Sequence, residues 1–438
     1  MISMKRCEMR GLARAAVSVA AVALASLAAC SDASKILDQE APSRVDASTL
    51  DNPAYAQLLV NGAIGDFECA LGNYIIAGGL VGDELIDAQL SQAGWDYDRR
   101  TIFSGSIPYG TTQCAANQVP GLYTPLSVAR FQADNALKKL QAWTDAQVPS
   151  RQSLIAQAAT YAGYSLVLLG EAMCSAAIDL GPEMSRAQLF AAAQDRFTTA
   201  IAAASSNPAM LNAARIGRAR ALLDQGKLQE ARADAVLVTD QSFVLNASYS
   251  AANGRRENLV WSQMYRGLFS SVDPSYRSVT YGGVADPRVT VVNANTTGQD
   301  RATPIWRQTK YPLIGTPIPI ARYAEAQLIV AEADNANNNT ANAIAIINAL
   351  HAKAGIPAYT GGATQTEVQA QIIEERRREF FLEGQRLGDL IRYNLTAVPA
   401  KGTAFKNGGS YGNNTGIQLC FPLPDIERNN NPNINKTS

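Results

Sequence analysis

The stretch ARIGRARALLDQGKLQEARADAVLVTD (Ala214–Asp240) sets the strongest constraint on what this chain can fold into. Small and apolar residues recur at helical spacing on both sides of a Gly-containing turn at Asp224–Lys227, which predicts two helices packed back to back. Ala219 and Ala231 stand where the facing helices must approach closely. The pattern returns in Ile320–Asn335 and Ala341–Ala354, joined by an Asn-rich connector at Asn335–Thr340. Further amphipathic segments cover 53–66, 122–142, 186–204, 210–224 and 227–239. The Ala-rich run 151–173 is apolar on more than one side and reads as a deeply packed helix. The chain is therefore expected to be mostly α. With 438 residues, 47% hydrophobic and 17% charged, it has ample material for a core and is far from the composition of a disordered protein.

The helix pairs resemble tetratricopeptide hairpins, but no strict repeat runs through the chain. They read instead as a helical body, 122–240 and 320–393, interrupted by two large insertions, 67–121 and 243–319. The insertions hold three of the four Trp and half of the 16 Tyr, are rich in Gly, Pro and Thr, and show few helical stripes. Loops, short strands and 3₁₀ turns are expected there, on the outside of the body, and binding is expected there rather than on the helices.

The N-terminus reads as a targeting segment. Lys5, Arg6, Arg10 and Arg14 precede an uncharged run, Ala15–Ala29, that is too short to span a bilayer. Leu27-Ala28-Ala29-Cys30 resembles the bacterial lipobox, which implies a signal peptide over 1–29 and diacylation (palmitate) of Cys30. Residues 30–55, with Pro42 and Pro53, read as a tether, and 56–438 as the main domain. Ser31 after the cysteine leans toward outer-membrane delivery.

Lys+Arg and Asp+Glu balance at 38 each, so no basic surplus points to nucleic acid. The single histidine, His351, argues against histidine-based metal sites and triads, and reads as a capping or packing residue on its helix. Beyond Cys7 and Cys30, four cysteines remain: Cys69, Cys114, Cys174 and Cys420. In an exported chain they suggest two disulfides, with four buried thiols as the alternative. Of three connectivities, Cys69–Cys114 with Cys174–Cys420 is favoured, because the first two share the N-terminal region and the second pair would tie down the C-terminal tail. No CxxC spacing suggests zinc, and no metal or other cofactor is expected.

Residues 367–393 (EVQAQIIEERRREFFLEGQRLGDLIRY) are expected to form one charged helix. Glu374–Arg378 at i,i+4, and Glu375–Arg378, Arg386–Asp389 and Asp389–Arg392 at i,i+3, read as ion pairs rather than catalytic carboxylates. Arg377 and Gly384 fall on the stripe of Ile373, Phe380, Leu387 and Ile391. A buried Arg377 would need Glu379, Glu383 or Glu325 as partner, and Gly384 would admit a neighbouring helix.

This segment is similar to the C-terminal hallmark of the SusD/RagB family of outer-membrane nutrient-binding lipoproteins. Other stretches resemble the family in the same order: GDELID (Gly82–Asp87), LYTPLSVARFQADNAL, Tyr161–Gly170, Ala285–Arg288, Trp306-Arg307 with Lys310-Tyr311, ARYAEAQLIVAEA, INALHAKAGIP and Cys420–Lys436. Leu387-Gly388 and GEAMCSAAIDLGP (Gly170–Pro182) depart from its usual pattern and mark a divergent branch. The resemblance implies a SusD-like fold with four tetratricopeptide-like pairs and no catalytic activity. It implies a lid at the cell exterior over a SusC-like, TonB-dependent barrel, to which a captured glycan or oligopeptide is delivered.

Carbohydrate sites need flat aromatic rings together with amide, Asp or Arg groups for the hydroxyls. Gln89–Arg100 has that mixture, so Trp95, Tyr97, Asp96 and Arg99 are candidate ligand residues. Tyr276 and Tyr281, with Tyr265, are candidates in the second insertion, whereas Trp306 reads as a structural staple. Two other readings compete. An exported hydrolase would need Asp83/Glu84 or Asp96/Asp98 as its carboxylate pair, yet such pairs normally flank the substrate from separate elements. A purely protein-binding scaffold would leave the aromatic insertions without a task.

Overall fold

A computed structural model of the chain describes residues 51–116 and 118–434. The signal segment, Cys30 and the tether up to residue 50 lie outside the described residues, as does the end of the tail beyond Ile434. The elements in chain order are α1 (Ala56–Val81), β1 (Leu85–Asp87), α2 (Gln92–Asp98), α3 (Ile107–Thr111), α4 (Tyr123–Ala142) and α5 (Arg151–Ala172). A short hairpin of β2 (Ser175–Ala177) and β3 (Glu183–Ser185) leads to α6 (Arg186–Ala203), α7 (Pro208–Asp224), α8 (Leu228–Ala235) and β4 (Val244–Ala247). After the single turn α9 (Leu259–Trp261) come β5 (Ser270–Val272), β6 (Thr280–Tyr281), β7 (Val284–Ala285), β8 (Val291–Thr297), β9 (Pro304–Gln308) and β10 (Ile318–Arg322). The chain closes with α10 (Tyr323–Ala336), α11 (Thr340–Ala354), α12 (Gln365–Glu379), α13 (Arg386–Arg392) and α14 (Asp425–Asn430).

Successive long helices pack on one another: α1 on α4, α4 on α5, α5 on α6, α6 on α7, α7 on α8, α8 on α10 and α10 on α11. The turn between α7 and α8 is made by Gly226 in the left-handed region (φ 74°), as the sequence spacing predicts. Ala219 and Ala231 are fully buried at this pair's contact. α5 is long and apolar enough to cross a membrane, but it is buried inside the fold and serves as its central core helix. Most strands belong to the second insertion, and those of the described residues pair as five two-stranded antiparallel ribbons, β1–β5, β2–β3, β4–β10, β6–β7 and β8–β9. The fold is mostly α with short-strand insertions, as expected.

Three expectations change. The helix predicted over 53–66 continues to Val81, so residues 67–81 belong to the body and not to an insertion. Phe67–Val81 is buried on every side, which erases the amphipathic stripe that periodicity reads. The Gln89–Arg100 loop contains α2. The charged segment is two helices, because Leu382 (φ 54°) and Gly384 (φ 77°) are left-handed and break it between Glu379 and Arg386. At Gly384 the backbone presses against α1: a Cβ there would sit 3.0 Å from the Tyr74 ring.

The break redirects the ion pairs. Glu374–Arg378 (2.7 Å) and Asp389–Arg392 (3.1 Å) form as spaced, but Glu375 pairs with Arg288 (2.6 Å) and Arg386 with Asp83 (2.7 Å). Arg377 pairs with Glu374 (2.8 Å) and lies 4.5 Å over the Tyr276 ring, away from the three carboxylates expected for it. Disulfides join Cys69 to Cys114 and Cys174 to Cys420, the latter securing the C-terminal tail beside the end of α5.

Candidate functional site

The exit of β1 is where the two insertions meet. The Ala88 N–H donates to the Phe269 carbonyl (2.8 Å), and the Ala88 carbonyl accepts from the Asp300 N–H (3.0 Å). The turn between β8 and β9 is tied in turn to the 262–269 segment by the Gln299 N–H on the Leu268 carbonyl (3.3 Å) and to the first insertion by Gln118 Nε2 on Gln299 Oε1 (3.3 Å). Lys406 reaches in from the C-terminal loop, donating to the Asp87 carbonyl and to the Asp300 carboxylate (3.0 Å). Three segments distant in sequence thus hold one polar junction, with exposed Leu90 beside it.

Trp95 on α2 is half-buried, its indole Nε1 donating to the Gln89 carbonyl (2.9 Å). Asp96 and Arg99 are also half-buried and neutralise each other (2.6 Å); Asp96 accepts from Thr101 (2.7 Å) as well. Beneath α2 a cleft of about 370 Å³ is lined by Gln92, Asp96, Ile102, Phe103 and Ile107, the last two mostly exposed. Tyr97 is a different case. Only 2% exposed, it packs on Phe421, donates its hydroxyl to the Pro120 carbonyl (2.6 Å) and forms part of the inner wall of that cleft, so its main role is in the core.

The second insertion's tyrosines separate in the same way. Tyr276 is fully buried, stacked on Phe381 at 4.9 Å, and is removed from the ligand candidates. Tyr281 is half-buried, sits edge-on to His351 at 4.5 Å and lies under the Arg378 guanidinium of α12 (5.7 Å). His351 itself is buried between the Pro357 carbonyl (2.6 Å) and Glu375 (2.7 Å), a packing role as read from the sequence. Trp306 is half-buried under the Arg277 guanidinium (5.0 Å).

Sequence reading missed Trp261. The chain passes from α9 into a π-helical turn, Ser262–Arg266, that stacks the half-buried Trp261 on Tyr265 at 5.7 Å with their planes 6° apart. Arg307 lies 5.0 Å over the Tyr265 ring, making a pile of guanidinium, phenol and indole. Polar contacts fix it: Trp261 Nε1 donates to the Pro312 carbonyl (3.1 Å) and the Tyr265 hydroxyl to the Gln308 carbonyl (2.7 Å). The i,i+4 spacing of Trp261 and Tyr265 was the available signal. Contacts through Leu268 and Gln299 tie the segment that follows this pile to Gln118 of the first insertion. A separate apolar groove of about 480 Å³ between α4, the β2–β3 hairpin and α14 contains none of the candidate residues.

Buried carboxylates surround the junction. Burial pushes Asp87 up to about 7, against the pull of the Gln89 amide and Lys406, and raises Asp98 to about 6. In the body, burial likewise lifts Glu84 and Glu325 to about 7. These groups hold their protons more tightly folded than unfolded, so stability is fullest near pH 4–5 and declines as pH rises toward about 8. Groups with depressed values, such as Asp389 beside Arg376 and Arg392, oppose this only below about pH 4. Calorimetry at constant ionic strength should therefore give a higher Tm at pH 5.5 than at pH 8; a Tm that rises over this range would contradict the assignment.

The hydrolase candidates are engaged structurally. Asp83 is bidentate to Arg386, and Glu84 accepts the Leu382 N–H (2.8 Å), so GDELID anchors the break between α12 and α13. Asp98, 3% exposed, accepts the Asp87 N–H (2.8 Å).

Residues 294–438 match the sequence model of the SusD family. The starch-binding protein SusD of Bacteroides thetaiotaomicron is 32% identical over 122 residues, which span 28% of this chain and 21% of that protein. A SusD-like carbohydrate-binding protein from Bacteroides vulgatus superposes with a TM-score of 0.67 at 17% identity, covering 88% of this chain and 98% of the other. A laminarin-binding SusD-like protein gives 0.64 at 16% identity, covering 88% and 100%. The chain thus carries the SusD family's sequence pattern over residues 294–438 and shares the fold of SusD-like structures over 88% of its length.

Proposed function

We propose that the protein captures a glycan without transforming it, as a lipoprotein anchored through Cys30 at the outer membrane. The glycan is then passed to a SusC-like, TonB-dependent transporter. The observation that carries this reading is the Trp261–Tyr265 stack on the second insertion. It offers the rigid aromatic surface that sugar rings require, and the same insertion presents the Gln299 side-chain amide, bonded to Gln118, for hydroxyls. The starch-binding and laminarin-binding relatives support a glycan over a peptide. Trp261→Ala and Trp95→Ala are each expected to weaken oligosaccharide binding by at least about tenfold in calorimetric titration, the loss expected of a central aromatic contact. Unchanged affinity in both would remove the site. Palmitate labelling of the exported protein should vanish in Cys30→Ala; retained labelling would refute the anchor.

A further inference from the structure

His351 is the only histidine of the chain, and it is 1% exposed in the last turn of α11. Both its ring nitrogens meet acceptors: Nδ1 lies 2.6 Å from the Pro357 carbonyl and Nε2 lies 2.7 Å from Glu375 Oε1. A carbonyl can only accept, so Nδ1 must carry a proton. A neutral ring would then point a bare Nε2 lone pair at a carboxylate oxygen. Glu375 already accepts from Gln371 (2.6 Å) and from Arg288 (2.6 Å), which leaves it as the acceptor and the ring as the donor. The contact is therefore complete only when His351 holds both protons. The C-terminal turn of a helix favours such a cation.

Three segments close on this ring. Pro357 belongs to the loop after α11, Glu375 to α12, and Tyr281 of β6, in the second insertion, lies edge-on to it at 4.5 Å. The β6–β7 turn presses on the same loop: a Cβ on Gly282 would fall 3.0 Å from the Pro357 ring. Around them, Arg288 joins Glu375 to Asp286 and Glu379, and Arg378 joins Asp286 to Glu374 and lies over Tyr281. The ion pairs that dock this insertion on α12 thus share the carboxylate that the ring faces. Once the ring loses a proton, two acceptors face each other at 2.7 Å in a buried site, and the contact must open.

We propose that His351 is a proton-operated latch: doubly protonated, it holds the β6–β7 hairpin and the 355–360 loop on α12, and its deprotonation releases them.

With one histidine in the chain and a tag that adds none, long-range proton–nitrogen NMR reads this ring alone. At about pH 5.5 both ring nitrogens should be protonated, and by about pH 8.5 the pattern should change in one step to a ring protonated at Nδ1 only. Backbone hydrogen exchange over 280–288 and 355–360, corrected for its intrinsic dependence on pH, should lose at least about threefold protection at the same midpoint. In Glu375→Gln the new amide can donate to a bare Nε2, so the step should vanish and protection should persist at the upper pH. His351→Gln should remove the step as well. Asp87, Glu84 and Glu325 titrate at about 7 and Asp98 at about 6, but both variants keep all four, so a step of theirs would survive. An unprotonated Nε2 at the lower pH, a ring still doubly protonated at the upper one, or a protection step that survives either substitution would overturn the latch.

Discussion

Replacing Arg220 with methionine is expected to destabilise the protein by about 3–5 kcal/mol, the usual cost of leaving a buried charge without its partner. Arg220 on α7 is 4% exposed and grips Glu171 of α5 with two hydrogen bonds, Nε to Oε1 at 2.6 Å and Nη2 to Oε2 at 2.7 Å. Its third nitrogen lies 3.7 Å from Glu325 on α10, and the Tyr74 hydroxyl of α1 donates to Glu171 (2.9 Å). Four helices therefore meet on one guanidinium. Without it, Glu171 and Glu325 face each other in a medium of low dielectric, and Asp224, already pushed up to about 8 by burial and by Glu171, adds a third acid. Urea unfolding should show the loss, and the double variant Arg220→Met, Glu171→Gln should recover part of it. A single variant losing less than about 1 kcal/mol would mean that water reaches this site and that the network does not hold the helices.

Phe197→Ala should cost a comparable amount, about 3–5 kcal/mol, by opening a cavity at the junction of α5, α6 and α7. The Phe197 ring is fully buried and meets Tyr164 edge-on at 5.0 Å. It fits between two backbones: a Cβ on Gly163 would fall 2.7 Å from the ring, and one on Gly217 would fall 2.3 Å from it. Gly217→Ala should accordingly destabilise as well, by about 1–3 kcal/mol, because an overpacked rigid ring cannot yield cheaply. Thermal unfolding of both variants checks the pair. A neutral Gly217→Ala would show that α6 and α7 can move apart and that the wedge is not close-packed.

The helices that were legible are those with one wet face: Tyr123–Ala142, Arg186–Ala203 and the α7–α8 pair. Where burial is all-round, as in Phe67–Val81, the alternation on which the reading depends is absent, and glycines needed for close packing look like loop signals. The charged segment's pairs were only half legible. Local spacing found Glu374–Arg378, but Asp83–Arg386 and Glu375–Arg288 join residues far apart in sequence, and no spacing rule reaches them. The ligand residues show the same limit. Composition singled out an aromatic, charged stretch at Gln89–Arg100, yet could not tell half-buried Trp95 from core Tyr97 two residues on, nor Tyr265 from Tyr276. Trp261 entered only through the π-helical turn that stacks it on Tyr265.

The most direct test of non-catalytic glycan capture is equilibrium dialysis of labelled oligosaccharides against the exported full chain, followed by mass spectrometry of the recovered sugar. Saturable binding that Trp261→Ala weakens, with every recovered molecule at its original length, is the expected result. Shortened products, or no retention of any oligosaccharide, would contradict it.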